Sequence, residues 1–196
     1  MPQDKPLGVI LAGGSARRMG GGDKGLLPLG GQRMLDHVID RFGPQVDRMV
    51  LNAAGDPARF EAFGLETIAD EVPDQGPLGG VLAGLDHAAL RGLGRIATVA
   101  ADMPFLPADL VARLEAAGPL ALAEAGGRLH PVCGLWPTNL RHRLRADLSS
   151  GTRRVADWAL AQGAGRAAFD APAAFFNVNT LDDLSKARQI WQARTV

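Results

Sequence analysis

The sequence predicts an α/β protein built on a mostly parallel sheet with helices packed against it. Three observations carry this expectation. Short apolar runs of strand length alternate with longer segments of helical period, the pattern of parallel strands joined by crossover helices. The first of those runs passes straight into glycines and two later ones finish in an aspartate, as strands do where they open onto a ligand-binding edge. The composition, 46% hydrophobic and 21% charged, is that of an ordinary globular domain and excludes a disordered or fibrous chain.

The elements follow in order. Residues 7–11 form the first strand, and the periodic segment 32–42 the first helix. Strands follow at 49–52 and 67–69, then a helix at 78–90 and a strand at 96–101. The helix at 107–117 starts on Pro107 and stops at Gly118, the usual placement of proline first and glycine last. A strand at 120–123 comes next, with edge or antiparallel strands at 131–136 and 175–178 and helices at 138–147 and 152–161. The final helix, 181–193, has Thr180 as its N-cap and Asp182 and Asp183 in its first turn, where carboxylates favour the helix dipole. A length of 196 residues suits a single domain spanning 1–196.

Charge and cysteine narrow the function classes. Lys plus Arg and Asp plus Glu both number 21, so no global field draws the chain to nucleic acid or to a membrane surface, and any anion site must be local. The lysines are Lys5, Lys24 and Lys186. Cys133 is the lone cysteine, which permits no internal disulfide, is too little for a structural zinc site and suits a reducing compartment. It is expected to be a buried small hydrophobe. The apolar stretch 7–12 is too short for a signal-peptide core or a membrane span, and Arg17-Arg18 follow it instead of preceding it. The expected location is the cytoplasm.

"LAGGSARRMGGGDKG", residues 11–25, follows the first strand directly. Glycines there let consecutive backbone N–H groups approach a phosphate. The stretch is not a P-loop, because Lys24 lies between Asp23 and Gly25 instead of following glycine and preceding Ser or Thr. Gly20, Gly22 and Gly25 match GxGxxG in letters only, since they come well after the strand. Arg17, Arg18 and Lys24 together exceed what a two-charge pyrophosphate needs, and point to a triphosphate. Further along, "ETIAD" ends in Asp70 and "RIATVAADMPF" carries Asp102. Hard carboxylates at strand ends are the ligands Mg²⁺ prefers, and Asp102 is the first candidate. The ordinary role of such an aspartate is a turn or cap.

The order LAGG, RMG, DK resembles the signature of the molybdenum cofactor guanylyltransferases, nucleotidyltransferases with a GT-A-like, Rossmann-related three-layer α/β/α fold. "ADMPF", "IAD" and "MVLNA" resemble further family segments. "GPLGG" at 76–80 resembles the family's GPLAG, with Gly79 the departure. "HPVCGLW", "GTRRVADW" and "FFNVNT" extend the likeness over nearly the whole chain. The resemblance implies a nucleotide-binding half at about 1–105 and an acceptor-binding half at about 106–196. It implies nucleotide contacts from Leu11, Ala12, Gly13, Gly14, Lys24, Asn52, Asp70 and Asp102, catalytic roles for Arg18, Lys24 and Asp102, and Mg²⁺ on Asp102. Asn177 and Asn179, set on one side of a strand, and Arg153 and Arg154 would meet the acceptor. His130 is expected to be structural, because a phosphate nucleophile is already ionised at neutral pH.

The implied reaction transfers GMP from GTP to Mo-molybdopterin, forming a guanine dinucleotide cofactor and releasing pyrophosphate. Cofactor-insertion chaperones or apo-molybdoenzymes would take the product. Three alternatives stand beside it: a cytidylyltransferase on the same pterin, a sugar-phosphate nucleotidyltransferase, and a noncatalytic pterin or nucleotide carrier. Gly13 resembles the guanine-specific members, whereas cytosine-specific relatives tend to carry alanine there.

Overall fold

The computed structural model describes residues 4–13 and 23–195. Its centre is a seven-stranded sheet formed by β1 (Leu7–Leu11), β4 (Met49–Asn52), β5 (Glu66–Ile68), β6 (Arg95–Ala100), β7 (Ala121–Ala125), β8 (Arg128–Pro137) and β9 (Gly165–Phe169), in the order β5-β4-β1-β6-β8-β7-β9. β2 (Pro28–Leu29) and β3 (Gln32–Arg33) form a separate small hairpin. β5, β4, β1 and β6 are mutually parallel, β8 runs antiparallel to β6 and β7, and β9 is parallel to β7. The expected α/β class with a mostly parallel sheet therefore holds, including the antiparallel strand expected at 131–136.

The alternation of side chains along β1 explains the three layers. Leu7, Val9 and Leu11 face one core and Ile10 the other, as the two-residue period of a strand requires. On the Ile10 side pack α1 (Met34–Phe42) and α3 (Leu110–Ala117), through Leu35, Val38, Phe42, Leu110 and Leu114. On the other side pack α2 (Pro77–Leu90), α4 (Arg141–Ser149) and α5 (Val155–Ala161), through Val81, Leu85, Leu144, Leu148 and Trp158. α2 approaches closely because Gly84 has no side chain: a Cβ there would lie 2.7 Å from Val9 Cγ2. A third cluster seats α6 (Leu181–Thr195) on the hairpin through Leu29, Met34, Phe105, Val178, Leu184 and Ala187. Among the described residues no helix is long and apolar enough to cross a membrane.

Two expectations need correction. Residues 175–178 are not a strand; Pro172–Phe175 is a 3-10 turn and the chain beyond it pairs with no strand. Phe175 and Val178 are buried anchors, so the apolar character that suggested a strand serves packing instead. β9 was not expected, because "GRAAF" exposes Arg166 and Ala168 and carries little of the β-branched signal of a strand. The α6 start is as expected and stronger: Thr180 Oγ1 accepts from Asp183 N at 3.1 Å while Asp183 Oδ2 accepts from Thr180 N at 3.0 Å, a reciprocal capping box.

Candidate active site

Strand order decides where the site lies. From β1 the sheet continues through β4 and β5 on one side, then returns with β6 on the other. Such a reversal opens a crevice at the carboxyl ends of the strands. A cavity of about 630 Å³ occupies this position, lined by Leu11, Ala12 and Gly13 from the end of β1, Asn52 from β4, Asp70 after β5 and Ala100 to Asp102 after β6. Backbone bonds carry the parallel register past the strands themselves: Ala12 N donates to Asn52 O at 2.8 Å, Ala53 N to Ile68 O at 3.0 Å and Ala101 N to Leu11 O at 3.0 Å.

Asp102 sits at the centre with its side chain 14% exposed, and Lys24 Nζ stands 3.4 Å from its Oδ2. Burial pushes the Asp102 carboxyl above the usual carboxylate range, against the opposing pull of Lys24, its own backbone and Asn177. Lys24 opens a short 3-10 turn, Lys24–Leu26, whose Gly25 packs flat on Ala101 and Leu35. That contact holds the lysine beside the end of β6. Lys24 Nζ also donates to Asn179 Oδ1 at 2.5 Å, and Asn177 Nδ2 reaches Asp102 Oδ1 at 3.4 Å. Both asparagines thus meet the Lys24–Asp102 pair although they are not in a strand. A single backbone bond, Val178 N to Asp102 O at 3.0 Å, brings their segment in.

Asn52 and Asp70 form a second polar pair in the cavity, with Asn52 Nδ2 donating to Asp70 Oδ1 at 2.8 Å. Burial raises the Asp70 carboxyl and the Asn52 bond lowers it, with burial the stronger. The glycines at the start of α2 make room for this pair. A Cβ at position 79 would come 2.7 Å from Asp70 Oδ2, and one at position 80 would strike Asn52 Oδ1 and lie 2.7 Å from Leu11 Cδ2. Gly79, the departure in the GPLGG segment, therefore leaves open the space beside a site carboxylate that a Cβ would fill. Gly80→Ala is expected to displace Asn52 and destabilise the fold. Overpacking costs about 1–3 kcal/mol, more than the roughly 1 kcal/mol that alanine gains in helix propensity. Thermal melting checks this; an unchanged or higher Tm would contradict it.

The remaining expected residues divide. Gly14 and Arg18 lie outside the described residues. Arg153 and Arg154 do not line the cavity: Arg153 donates to Leu148 O and Thr152 O, and exposed Arg154 pairs with Asp157 at 3.6 Å. His130 stacks on Phe175 at 4.6 Å, and burial followed by the nearby Arg128 charge holds its imidazole below the usual range. Cys133 is fully buried, its thiol pushed up by burial and then by the Asp102 charge. Sequence reasoning missed Arg59, which pairs with Asp23 at 2.5 Å. Nothing in its local surroundings of "DPARFEAF" marks it.

Among the described residues no cluster of three or more His, Cys, Asp or Glu is arranged to hold a metal. Asp102 with an amide at 3.4 Å fits instead a Mg²⁺ that takes one or two carboxylates and fills its shell with substrate phosphates and water.

The family described as MobA-like NTP transferase domain matches residues 8–164. A molybdenum cofactor guanylyltransferase of Cereibacter sphaeroides is 50% identical over 185 residues, covering 93% of this chain and 95% of that protein. One of Bradyrhizobium sp. is 49% identical over 196 residues, covering 93% and 92%. In fold, the chain resembles the molybdopterin-guanine dinucleotide biosynthesis protein A of Archaeoglobus fulgidus, with a TM-score of 0.72 at 24% identity over 95% of this chain and 99% of that one.

Proposed function

This chain belongs to the MobA-like NTP transferase family, and on that premise we propose that it transfers GMP from GTP to Mo-molybdopterin, releasing pyrophosphate and leaving the molybdopterin guanine dinucleotide cofactor. It is a nucleotidyltransferase, and its half-identical relatives are named for guanylyl transfer. Those names favour the guanine nucleotide over the cytidylyl, sugar-phosphate and carrier alternatives. The observation that carries the mechanism is the Lys24–Asp102 pair at the end of β6, where charge of both signs converges on the cavity.

The acceptor's terminal phosphate attacks the α-phosphorus in line, the new P–O bond forms as the bond to pyrophosphate breaks, and no covalent enzyme intermediate is needed. Positioning and charge neutralisation supply most of the rate in such transfers. Backbone N–H groups of Gly13 and Gly14, with Arg18 and Lys24, hold the triphosphate. Asn52 and Asp70 hold the nucleoside end. Asp102 would hold Mg²⁺, which would supply charge neutralisation to phosphate oxygens. Asn177 and Asn179 join the Lys24–Asp102 pair to the acceptor half, so residues 1–196 work as one unit. Arg153 and Arg154, expected to meet the acceptor's terminal phosphate, do not line the cavity. The protein acts in the cytoplasm and passes its product to chaperones or apo-molybdoenzymes.

Magnesium-dependent pyrophosphate release with Mo-molybdopterin, run in parallel with GTP and CTP, tests this. Release with GTP is the expected result. Release with CTP alone would change the product, and release with neither would overturn the reaction.

A further inference from the structure

The cavity, in the described part of its wall, is short of positive charge for a polyanionic ligand, Arg17 and Arg18 lying outside the described residues. Its described walls carry four carboxylates, Asp23, Asp70, Asp74 and Asp102, against the single cation Lys24. A triphosphate would meet a field of its own sign unless each carboxylate is answered. Asp102 is answered by Lys24, Asp70 accepts from Asn52, and Asp74 is exposed to solvent. Asp23 is not exposed, and among the described residues nothing inside the cavity answers it: its side chain is 18% exposed and it immediately precedes Lys24.

Its partner comes from behind the wall. Arg59 lies on the 3-10 turn Pro57–Phe63 and is absent from the cavity lining, whereas Asp23, Ala54 and Phe60 are present. Arg59 Nε meets Asp23 Oδ2 at 2.5 Å, Nη2 donates to Ala54 O at 2.5 Å, and Nη1 donates to Asp56 O. The guanidinium also rests over the Phe60 ring, 4.6 Å from its centroid. All three nitrogens are engaged and one face is packed, so the group is held in place, as the planar fork of arginine permits.

We infer that Arg59 is a positioning residue for nucleotide binding: it cancels the Asp23 carboxylate that would oppose the triphosphate and fixes the chain where Lys24 begins. This rests on the nucleotide reading given above. Arg59 touches no substrate; it acts through Asp23.

The test compares wild type, Arg59→Gln and the double variant Asp23→Asn/Arg59→Gln, by calorimetric titration with Mg·GTP and by kcat and KM for pyrophosphate release. Leaving one charge of a pair unanswered beside an anionic ligand is costly. Arg59→Gln should therefore raise the Kd and KM for GTP about tenfold, roughly 1.4 kcal/mol, with kcat held within about twofold. The double variant should return to within about threefold of wild type, because the opposing carboxylate is gone. Equal weakening in single and double variants, or none in the single, would overturn the inference and leave Arg59 a prop for the Ala54–Asp56 turn. If Arg59→Gln does not fold, the double variant decides alone, and a loss of about tenfold or more in it overturns the inference. Failure of the wild-type protein to bind GTP would overturn the nucleotide reading and this inference with it.

Discussion

Asp102→Ala is expected to lower guanylyl transfer by about a thousandfold or more, while Mo-molybdopterin binding falls far less. The expectation follows from position. Asp102 is just past the end of β6, lines the cavity, and carries the carboxylate proposed above to hold Mg²⁺. Loss of a group that stabilises transition-state charge in a dry site costs several kcal/mol. Single-turnover pyrophosphate release at saturating GTP, set against direct titration with the pterin, separates the two effects. Turnover close to wild type would remove Asp102 from its role.

Asp102→Asn should separate activity from stability. Because burial raises the Asp102 carboxyl above its usual range, ionising it is harder in the native state than in the unfolded chain. Its contribution to stability is present below the unfolded pKa and lost as pH rises through the folded one. At neutral pH the ionised group therefore costs stability, and the amide does not. The inactive Asn variant should melt at or above the wild-type Tm near pH 7, with the gap closing as pH falls through the carboxylate range. A clear fall in Tm at pH 7 would mean that the Lys24 pair outweighs the burial.

Lys24→Ala is expected to slow transfer by about a hundredfold or more and to raise the KM for GTP. Two losses combine. The triphosphate forfeits the cation on the described wall of its cavity, an electrostatic donor of the kind whose removal costs about 10²–10³ in rate. Asp102 also loses the charge that stands 3.4 Å away and holds its carboxyl down, so the burial that disfavours its ionised form goes unopposed by that cation. Lys24→Arg should restore only part of the rate, because the planar fork cannot take the place of a compact ammonium between Asp102 and Asn179. Steady-state kinetics with varied GTP checks both variants, and a Lys24→Ala enzyme with unchanged kcat/KM would contradict the assignment.

Local chemistry was enough to place most strands and the polar groups of the site. β1, β4 and β6 are buried along nearly their whole length, so they read as unbroken apolar runs. Asn52 and Asp102 stand at or just beyond the ends of such runs and Asp70 just beyond the short β5, and the capped start of α6 follows from the side chains of Thr180 and Asp183. The "FFNVNT" segment misled because hydrophobicity reports burial, and burial is common to strands and to anchored loops. The order of the strands fixes what no local pattern contains. Asp23 and Arg59 lie 36 residues apart, Lys24 and Asp102 78 apart, and Lys24 and Asn179 155 apart. Gly79 reads as a minor change until the packing of α2 sets it against Asp70. Residue types and periodicity determined, from sequence alone, the α/β architecture and the acidic strand ends that open onto the cavity; the family likeness supplied the roles expected of its residues. Only the tertiary structure decided which charges meet and which are answered from behind the wall. Such pairings depend on distances of a few ångströms between chain segments that only the packed sheet and helices bring together.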